Sequence, residues 1–254
     1  MEEYKIDKEF LVLSAASSKG TQVKYYKDGY WYKTNNVGNE GLAEELTSKV
    51  LSCSNVDYFV QYERCKINGM LGCRSKNFLK KGNSFITFQR LYQNYVGGEL
   101  NDKVKSLNSV KERYDYLVNF VKEVTGLDCS DYLRNTFSLD LLIRNPDRHF
   151  HNLGVIMSED ATYGIAPIFD NGQGLAQNFN ITPPYLTIEE KDEKLYAASI
   201  SGSFEAQVSA AGNILKIDYE RLFDILQNYD NSIAKEFLVY QLRKYKKLFV
   251  EEPA

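Results

Sequence analysis

The segment that decides how this sequence is interpreted contains both of its histidines, two residues apart. It reads Ile143-Arg144-Asn145-Pro146-Asp147-Arg148-His149-Phe150-His151-Asn152. An apolar, helix-like run precedes it, and Pro146 favours the end of that helix and the start of a loop. Asp147 and Asn152, five residues apart, therefore lie in one short loop, where we expect the chemistry of the protein.

A second carboxylate follows the next strand-like hairpin, in the run Ile168-Phe169-Asp170-Asn171-Gly172. Phosphoryl transfer requires a carboxylate that orients and deprotonates the attacking hydroxyl, and oxygen ligands that hold Mg²⁺ against the phosphates. Asp147 suits the first task. Asn152 and Asp170 suit the second, because Mg²⁺ prefers hard oxygen ligands. The pattern predicts a magnesium-dependent phosphotransferase.

A metal-dependent hydrolase is an alternative interpretation of the same loop. Asp147, His149 and His151 alternate, so on a strand all three would face one zinc or iron ion. Pro146 and the charged neighbours favour a loop instead, and the sequence has no third histidine to complete a dinuclear site.

Residues further upstream are suited to holding a nucleotide. The segment 17–24, Ser17-Ser18-Lys19-Gly20-Thr21-Gln22-Val23-Lys24, is a turn of small residues whose backbone N–H groups can surround phosphate oxygens. Lys33 ends a strand and can pair with the phosphates. Glu40 and Glu44 share one face of a predicted helix, so either can orient that lysine.

Strand and helix patterns divide the chain into two lobes. The first ninety or so residues read mainly as strands, with a helix from about Asn39; after Gly97-Gly98 the patterns are mainly helical. We therefore expect an α+β fold with a β-rich N-lobe, residues 1–95, a helical C-lobe, residues 96–254, and a ligand cleft between them. The predicted strands are 10–13, 23–26, 30–33, 56–62, 85–88, 153–156 and 165–169, and the later predicted helices are 109–126, 131–143, 219–226 and 232–248.

Composition narrows the classes of function. The 254 residues are 43% hydrophobic and carry a net charge of −3, so there is no basic excess for direct binding to nucleic acid. No apolar run approaches the ~20 residues that span a bilayer, and the start lacks a signal peptide. The four cysteines form no C-x-x-C pair. We expect a cytoplasmic protein with reduced, buried thiols and no contact with a membrane.

The motifs resemble those of the HipA-like serine/threonine kinases. The segment 143–152 is similar to their catalytic D-x-H-x-x-N segment, and Ile165-Ala166-Pro167-Ile168-Phe169-Asp170-Asn171-Gly172 is similar to their metal-binding aspartate segment. The run Gly20-Thr21-Gln22-Val23-Lys24 resembles their phosphate-loop region. The three motifs also occur in the family's order along the chain.

The resemblance implies a bilobal protein-kinase-like fold with an ATP cleft between the lobes, and ATP and Mg²⁺ as cofactors. The γ-phosphate would pass to a serine or threonine hydroxyl of a protein. Asp147 would be the base, and Asn152 and Asp170 would be the Mg²⁺ ligands. His149 would be a structural or phosphate-side member of the loop. The residues implied for ATP binding are Ser17, Ser18, Gly20, Gln22, Lys24, Lys33 and Glu44, with Glu40 as the alternative to Glu44.

The resemblance also bears on regulation and partners. It implies autophosphorylation at Ser17 or Ser18, a protein substrate such as a component of translation, and an antitoxin partner. Two alternatives stay open at this point: a kinase for a lipid headgroup or small molecule, and a nucleotide-binding pseudokinase or interaction module.

Overall fold

A five-stranded sheet forms the first part of the computed structural model, which describes residues 1–12 and 22–250. Its strands are β1 (Glu3–Tyr4), β2 (Lys24–Lys27), β3 (Tyr30–Thr34), β4 (Tyr62–Ile67) and β5 (Met70–Lys76), in the sheet order β1-β4-β5-β3-β2. Only β1 pairs in parallel, with β4; the other neighbours are antiparallel. A hairpin turn joins β2 and β3, with Asp28 and Gly29 both at positive φ.

Helix α1 (Glu40–Ser52) packs against β4 and β5. Leu42, Leu46 and Val50 recur on one stripe and are buried, so burial of that stripe fixes the helix on the sheet. The predicted helix from about Asn39 is confirmed. It carries two glutamates, at positions 40 and 44, to the inner side of the sheet.

A second sheet joins the early and late parts of the chain. Strand β6 (Ser84–Thr87) pairs with β7 (Gly154–Met157), which pairs with β8 (Tyr163–Ile165). Helix α2 (Phe88–Tyr95) then buries Phe88 in the same core as the later helices. The pairing of β6 and the packing of α2 place both with the C-terminal part. The connection between the two parts is therefore the segment 77–83, earlier than the predicted boundary at residues 95 and 96.

The helical part is organised around α5 (Ser130–Ile143), whose residues Leu133, Phe137 and Leu142 are fully buried. It packs against two of the later helices, α7 and α9. The predicted helix after Ser109 is confirmed as α4, and the Ser109 side chain caps it by accepting a hydrogen bond from Glu112 N–H. The remaining helices are α3 (Leu100–Lys105), α4 (Val110–Thr125), α6 (Ile188–Lys194), α7 (Phe204–Ala211), α8 (Tyr219–Gln227), α9 (Ile233–Lys244) and α10 (Lys246–Phe249).

Several predicted elements differ from the structure. The strand predicted over 56–62 is wrong: residues 56–61 form only a bridge, from Phe59 to Ile168, and β4 begins at Tyr62. No strand was predicted for residues 63–76, which form most of the hairpin of β4 and β5. Helices α2, α3, α6 and α7 were not predicted; all four are eight residues or shorter, too short to show a clear helical period.

All four cysteines are free and buried, as expected. Burial raises the pKa of the Cys65 thiol to about 11 and that of the Cys129 thiol to about 12. None of the helices in the described ranges is long and apolar enough to cross a membrane.

Candidate active site

Lys33 forms ion pairs with residues from both parts of the chain at the bottom of the cleft. Lys33, near the end of β3, donates a hydrogen bond to Glu44 Oε1 of α1 at 3.1 Å and to Asp170 Oδ1 at 2.7 Å. Its side chain is only 11% exposed. In kinase folds, such a lysine–glutamate pair and the metal-binding aspartate must both be in place for phosphoryl transfer. The sequence predicted the three residues, and the structure brings them together.

The structure also distinguishes the two glutamates on α1. Both carboxylate oxygens of Glu40 accept hydrogen bonds from the backbone, from Asn36 N–H at 3.0 Å and from Val37 N–H at 2.8 Å. Glu40 thus closes the turn before α1. One carboxylate oxygen of Glu44 accepts a hydrogen bond from Lys33 Nζ, and the other accepts one from Asn171 N–H at 2.8 Å. Glu44 is therefore the partner of the lysine.

Asp170 is held in the left-handed backbone region, with φ 60°. Its backbone N–H donates to the Tyr62 hydroxyl at 3.3 Å, and that hydroxyl also lies 3.5 Å from Lys33 Nζ. Burial alone would raise the pKa of the Asp170 carboxyl, but Lys33 and Lys24 hold it well below its ordinary value. Asp170 is therefore ionised at neutral pH and ready to accept a cation.

Lys24, on β2, lies near Lys33 and Asp170 and is 6% exposed. Burial lowers the pKa of its ammonium group, and the nearby charge of Lys33 lowers it further, while Asp170 opposes the shift. Two lysines and two carboxylates thus share a small volume, where the arrival of phosphate groups would favour the charged lysines.

The loop after α5 orients the side chain of Asn152. The amide Nδ2 of Asn152 donates to the backbone oxygen of Asp147 at 3.0 Å, and its backbone N–H donates to His149 O at 2.9 Å. The side-chain oxygen of Asn152 is buried, and within the described part of the chain it has no hydrogen-bond partner. A buried amide oxygen with a free lone pair fits a Mg²⁺ ligand.

Asp147 itself is open to the cleft. Its side chain is 54% exposed, and its backbone N–H is fixed by Asn145 Oδ1 at 3.1 Å. Desolvation by the surrounding loop raises the pKa of the Asp147 carboxyl, and the nearby His149, with Nε2 3.8 Å from Oδ1, opposes the shift. A carboxylate in this position can meet an incoming hydroxyl without a change of the backbone.

Arg148 supports the loop from beneath. Its guanidinium forms a buried ion pair with Asp140 of α5, at 3.1 Å, and donates to the backbone oxygen of Phe169 at 2.6 Å and to Asn171 Oδ1. The loop that carries Asp147 is therefore tied to the segment that carries Asp170.

A second arginine fixes the start of the loop. Arg144 follows α5 in the left-handed region, with φ 50°, and its guanidinium donates to Asp192 Oδ1 at 2.6 Å, to Glu205 Oε1 at 2.7 Å and to the Tyr245 hydroxyl at 2.8 Å. The loop is thus anchored to α6, α7 and the start of α10.

The hydrolase alternative finds no support in the geometry. In the residues that the structure describes, no group of three or more His, Cys, Asp and Glu side chains is placed to hold a metal ion. The rings of His149 and His151 meet edge to face, with centroids 5.4 Å apart, so they do not converge with Asp147 on one point.

Two cavities meet at Lys24 and Asp170. The polar cavity, about 390 Å³, is lined by Gln22, Asp147, Gln173 and Asn178 among others. The apolar cavity, about 430 Å³, reaches the segment 77–83, and its apolar walls are Trp31, Val60, Phe78, Leu79, Phe85 and Phe169.

The comparisons with known proteins concern the fold. A scan against protein-family models found no match, and a search of curated proteins found none. Among solved structures, the chain is similar to the Helicobacter pylori proinflammatory kinase CtkA, with a TM-score of 0.66 and 17% identity over 91% of this chain and 90% of that one. The fold is that of a HipA-like kinase.

A second solved structure extends this similarity. It is HipA of Shewanella oneidensis, from a complex of the toxin–antitoxin proteins HipA and HipB with operator DNA. The TM-score is 0.52 with 12% identity, over 94% of this chain and 63% of that one. The predicted α+β kinase-like fold is confirmed.

Within this HipA-like kinase fold, the predicted site residues fall into three groups. Lys24, Lys33, Glu44 and Asp170 converge, and Gln22 lines the polar cavity beside them. Asp147, His149 and Asn152 share the loop after α5. Ser17, Ser18 and Gly20 lie outside the described residues.

Sequence reasoning missed five residues that position the site, namely Tyr62, Arg144, Asn145, Arg148 and Asn171, and their signals were weak. Tyr62 begins a strand that was predicted to end there. Arg148 lies in the loop after α5, but its role could not be predicted from the loop alone, because its partner Asp140 is on the preceding helix. Asn145 lies near Asp147 and Asn171 follows Asp170, but the sequence alone assigned neither asparagine a role.

Proposed function

We propose that the chain is an ATP- and Mg²⁺-dependent kinase that transfers the γ-phosphate of ATP to a serine or threonine hydroxyl of a protein. The observation that carries this proposal is the convergence of Glu44 and Asp170 on Lys33, with Asp147 on the adjoining cavity. The lysine, base and metal positions, one of which pseudokinases usually lack, each have a candidate side chain here, which favours catalysis over a pseudokinase.

The apolar cavity suits the adenine ring of ATP. It is bounded by aromatic and aliphatic side chains on both sides of the cleft and by the segment 77–83, which connects the two parts of the chain. At its inner end stand Lys33 and Lys24, whose ammonium groups would pair with the phosphates. Because Lys24 and Asp170 line both cavities, the phosphates of a nucleotide held in this way would lie next to the polar cavity.

Asn152 and Asp170 are suited to hold Mg²⁺. The free side-chain oxygen of Asn152 and the ionised carboxylate of Asp170 are hard oxygen ligands. Bound there, Mg²⁺ would neutralise the charge that develops on the phosphates. Lys33 pairs with Asp170 at 2.7 Å, so its ammonium group is placed to contact phosphates that Asp170 and Asn152 would hold through Mg²⁺.

Asp147 would orient the acceptor hydroxyl and take its proton. The carboxylate is the most exposed of the site residues, and Asn145 and Asn152 hold the loop backbone on either side of it. An exposed base suits an acceptor on a large molecule, which favours a protein hydroxyl over a small metabolite. A lipid or small-molecule acceptor is the second candidate, because Asp147 would serve any of these hydroxyls.

The test is transfer of label from γ-labelled ATP with Mg²⁺ to proteins in a lysate. Asp147→Asn should lower the rate by about 10²–10⁴, the contribution of a positioned base, with nucleotide affinity unchanged. Asp57→Asn, at an exposed aspartate outside both cavities, is the matched control and should keep the full rate. Transfer at the same rate in Asp147→Asn and the wild type would refute the assignment, and label in lipids alone would favour the second candidate.

The regulatory and partner predictions belong to this proposal. Autophosphorylation at Ser17 or Ser18 would add negative charge to the segment that resembles a phosphate loop, and mass spectrometry after incubation with Mg²⁺–ATP tests it. An antitoxin partner, a translation component as substrate and a cytoplasmic location stay predictions.

A further inference from the structure

A third cavity, of about 530 Å³, lies beside the loop that carries Asp147. We call it the docking cavity. It is bounded by His149 and His151, by Lys105 and Arg113, and by the segment 196–202. It adjoins the polar cavity, since Tyr196 lines both and His149 Nε2 lies 3.8 Å from the Asp147 carboxylate. A polypeptide whose hydroxyl reaches Asp147 would place its neighbouring residues here.

Arg113 brings an unneutralised charge to the wall of this cavity. Its guanidinium donates to two backbone oxygens, of Leu107 at 3.1 and 3.0 Å and of Ile200 at 3.1 Å. A guanidinium has five N–H groups, so these bonds leave two for a ligand. In the described part of the chain, no carboxylate lies within ion-pair distance of Arg113.

The other charges around the docking cavity are mostly of the same sign. Lys105 ends α3, is exposed, and within residues 1–12 and 22–250 has no ion-pair partner. The acidic member is Glu99, whose carboxylate accepts a hydrogen bond from Gln93 Nε2 at 3.1 Å. Among the charged residues that line the cavity, Lys105 and Arg113 are therefore two cations against one carboxylate, Glu99, that is already hydrogen-bonded.

The segment 196–202, which Arg113 contacts through Ile200 O, leaves room for a chain. The segment 196–202 turns back on itself, with Ala197 N–H donating to Gly202 O at 2.9 Å, and its residues 197, 198 and 202 are small. The Ser199 hydroxyl donates to the backbone oxygen of Arg148, so this wall is fixed to the loop of Asp147. The cavity and the base therefore keep a constant relation to each other.

We propose that the docking cavity binds the stretch of substrate polypeptide next to the acceptor hydroxyl and selects one that carries an acidic side chain. The inference rests on the proposed function and names its substrate class. A carboxylate near the hydroxyl would form charge-assisted hydrogen bonds with Arg113 and Lys105, whereas a lysine there would meet like charge.

The test uses serine peptides that differ at one position, carrying either Glu or Lys at each place within three residues of the serine. Transfer from Mg²⁺–ATP gives kcat/KM, and fluorescence anisotropy of the labelled peptides gives affinity without turnover. At the best position we expect Glu to be preferred about five- to tenfold at low ionic strength, and less at high salt.

Lys105→Glu should reduce this preference to about twofold or reverse it, because it replaces a cation of the docking cavity by an anion. Lys122→Glu, at an exposed lysine of α4 outside the three cavities, is the matched control and should keep the preference. Neither lysine belongs to the proposed catalytic or nucleotide-binding residues, so transfer to a peptide without charged neighbours should be unchanged in both variants.

The outcomes separate the two proposals. Transfer to peptides with no preference for Glu, or an equal preference in Lys105→Glu and the wild type, would overturn the docking cavity and leave the kinase proposal standing. No transfer to any acceptor, together with no binding of Mg²⁺–ATP, would overturn the proposed function and this inference with it.

Discussion

Asp170 and Asp147 face the same cleft, but their surroundings differ. Asp170 is 19% exposed, pairs with Lys33 at 2.7 Å and has its backbone fixed by Tyr62. Asp147 is 54% exposed, and His149 Nε2 lies 3.8 Å from its carboxylate. At the bottom of the cleft, which we call the floor, Asp170 is therefore already paired with Lys33. At its entrance, which we call the mouth, the carboxylate of Asp147 is exposed and open to a ligand. Substitutions in the floor should affect folding and ligand binding, and those at the mouth should affect turnover.

The largest effect is expected beneath the floor, at Arg148. Arg148→Met leaves the fully buried carboxylate of Asp140 without its cation and releases Phe169 O and Asn171. Removing one member of a buried pair costs about 3–5 kcal/mol of the free energy of unfolding. Urea denaturation would measure it.

Arg134→Met is the control for this prediction. Arg134 pairs with Asp131 at 3.2 Å, but the aspartate is 75% exposed, so the loss should be within about 1 kcal/mol. Equal losses in the two variants would show that Arg148 does not support the floor.

A smaller effect is expected for Asp170→Asn, which keeps the shape of the side chain but removes its charge. We expect Mg²⁺–nucleotide affinity to fall about ten- to a hundredfold by calorimetry, the magnitude of a lost charged hydrogen-bonding or ligand group. Unchanged affinity would place the cation elsewhere. Nucleotide measured without Mg²⁺ is the control and should change less.

Asp170 also gives the floor a pH dependence. Because its pKa in the folded protein lies below the ordinary value of about 4, its ionised form stabilises the fold above that pH. The difference in unfolding free energy between the wild type and Asp170→Asn should shrink as the pH falls below about 4. A constant difference down to pH 2 would contradict the assignment.

The smallest effect is expected at the mouth. Asp147→Asn should change the free energy of unfolding by no more than about 0.5 kcal/mol, because the side chain is half-exposed and its hydrogen bonds to the loop are made by the backbone. A loss above 1 kcal/mol by urea denaturation would show that the mouth is as tightly coupled to the fold as the floor.

The elements predicted from the sequence are those with a local signal. Helix α1 has its stripe of leucines and valine, α4 has a serine cap, and the loop after α5 has a proline. The hairpin of β4 and β5 lacks a regular alternation of apolar and polar residues, because Glu63, Arg64 and Lys66 interrupt the apolar positions of β4. Its turn, Asn68-Gly69, is a strong hairpin signal and would have revealed both strands.

The site could be predicted only as far as residue types and spacing reach. Spacing placed Asp147 and Asn152 in one loop, but it could not choose between Glu40 and Glu44, which share a helix face. Which glutamate pairs with Lys33 depends on the path of the turn before α1, because the backbone N–H groups of that turn donate hydrogen bonds to Glu40. The contact of Tyr62 with Asp170 joins residues 108 positions apart, and no local pattern encodes it.

The buried cysteines make the protein convenient for site-directed labelling. Thiol reagents attack the thiolate, and burial both shields the native thiols and keeps them protonated at neutral pH. A cysteine introduced at an exposed position, such as Met70 at the start of β5, would therefore be modified selectively by a maleimide. Paired with a second introduced cysteine on α4, it would carry spin labels that report the distance across the cleft as nucleotide is added.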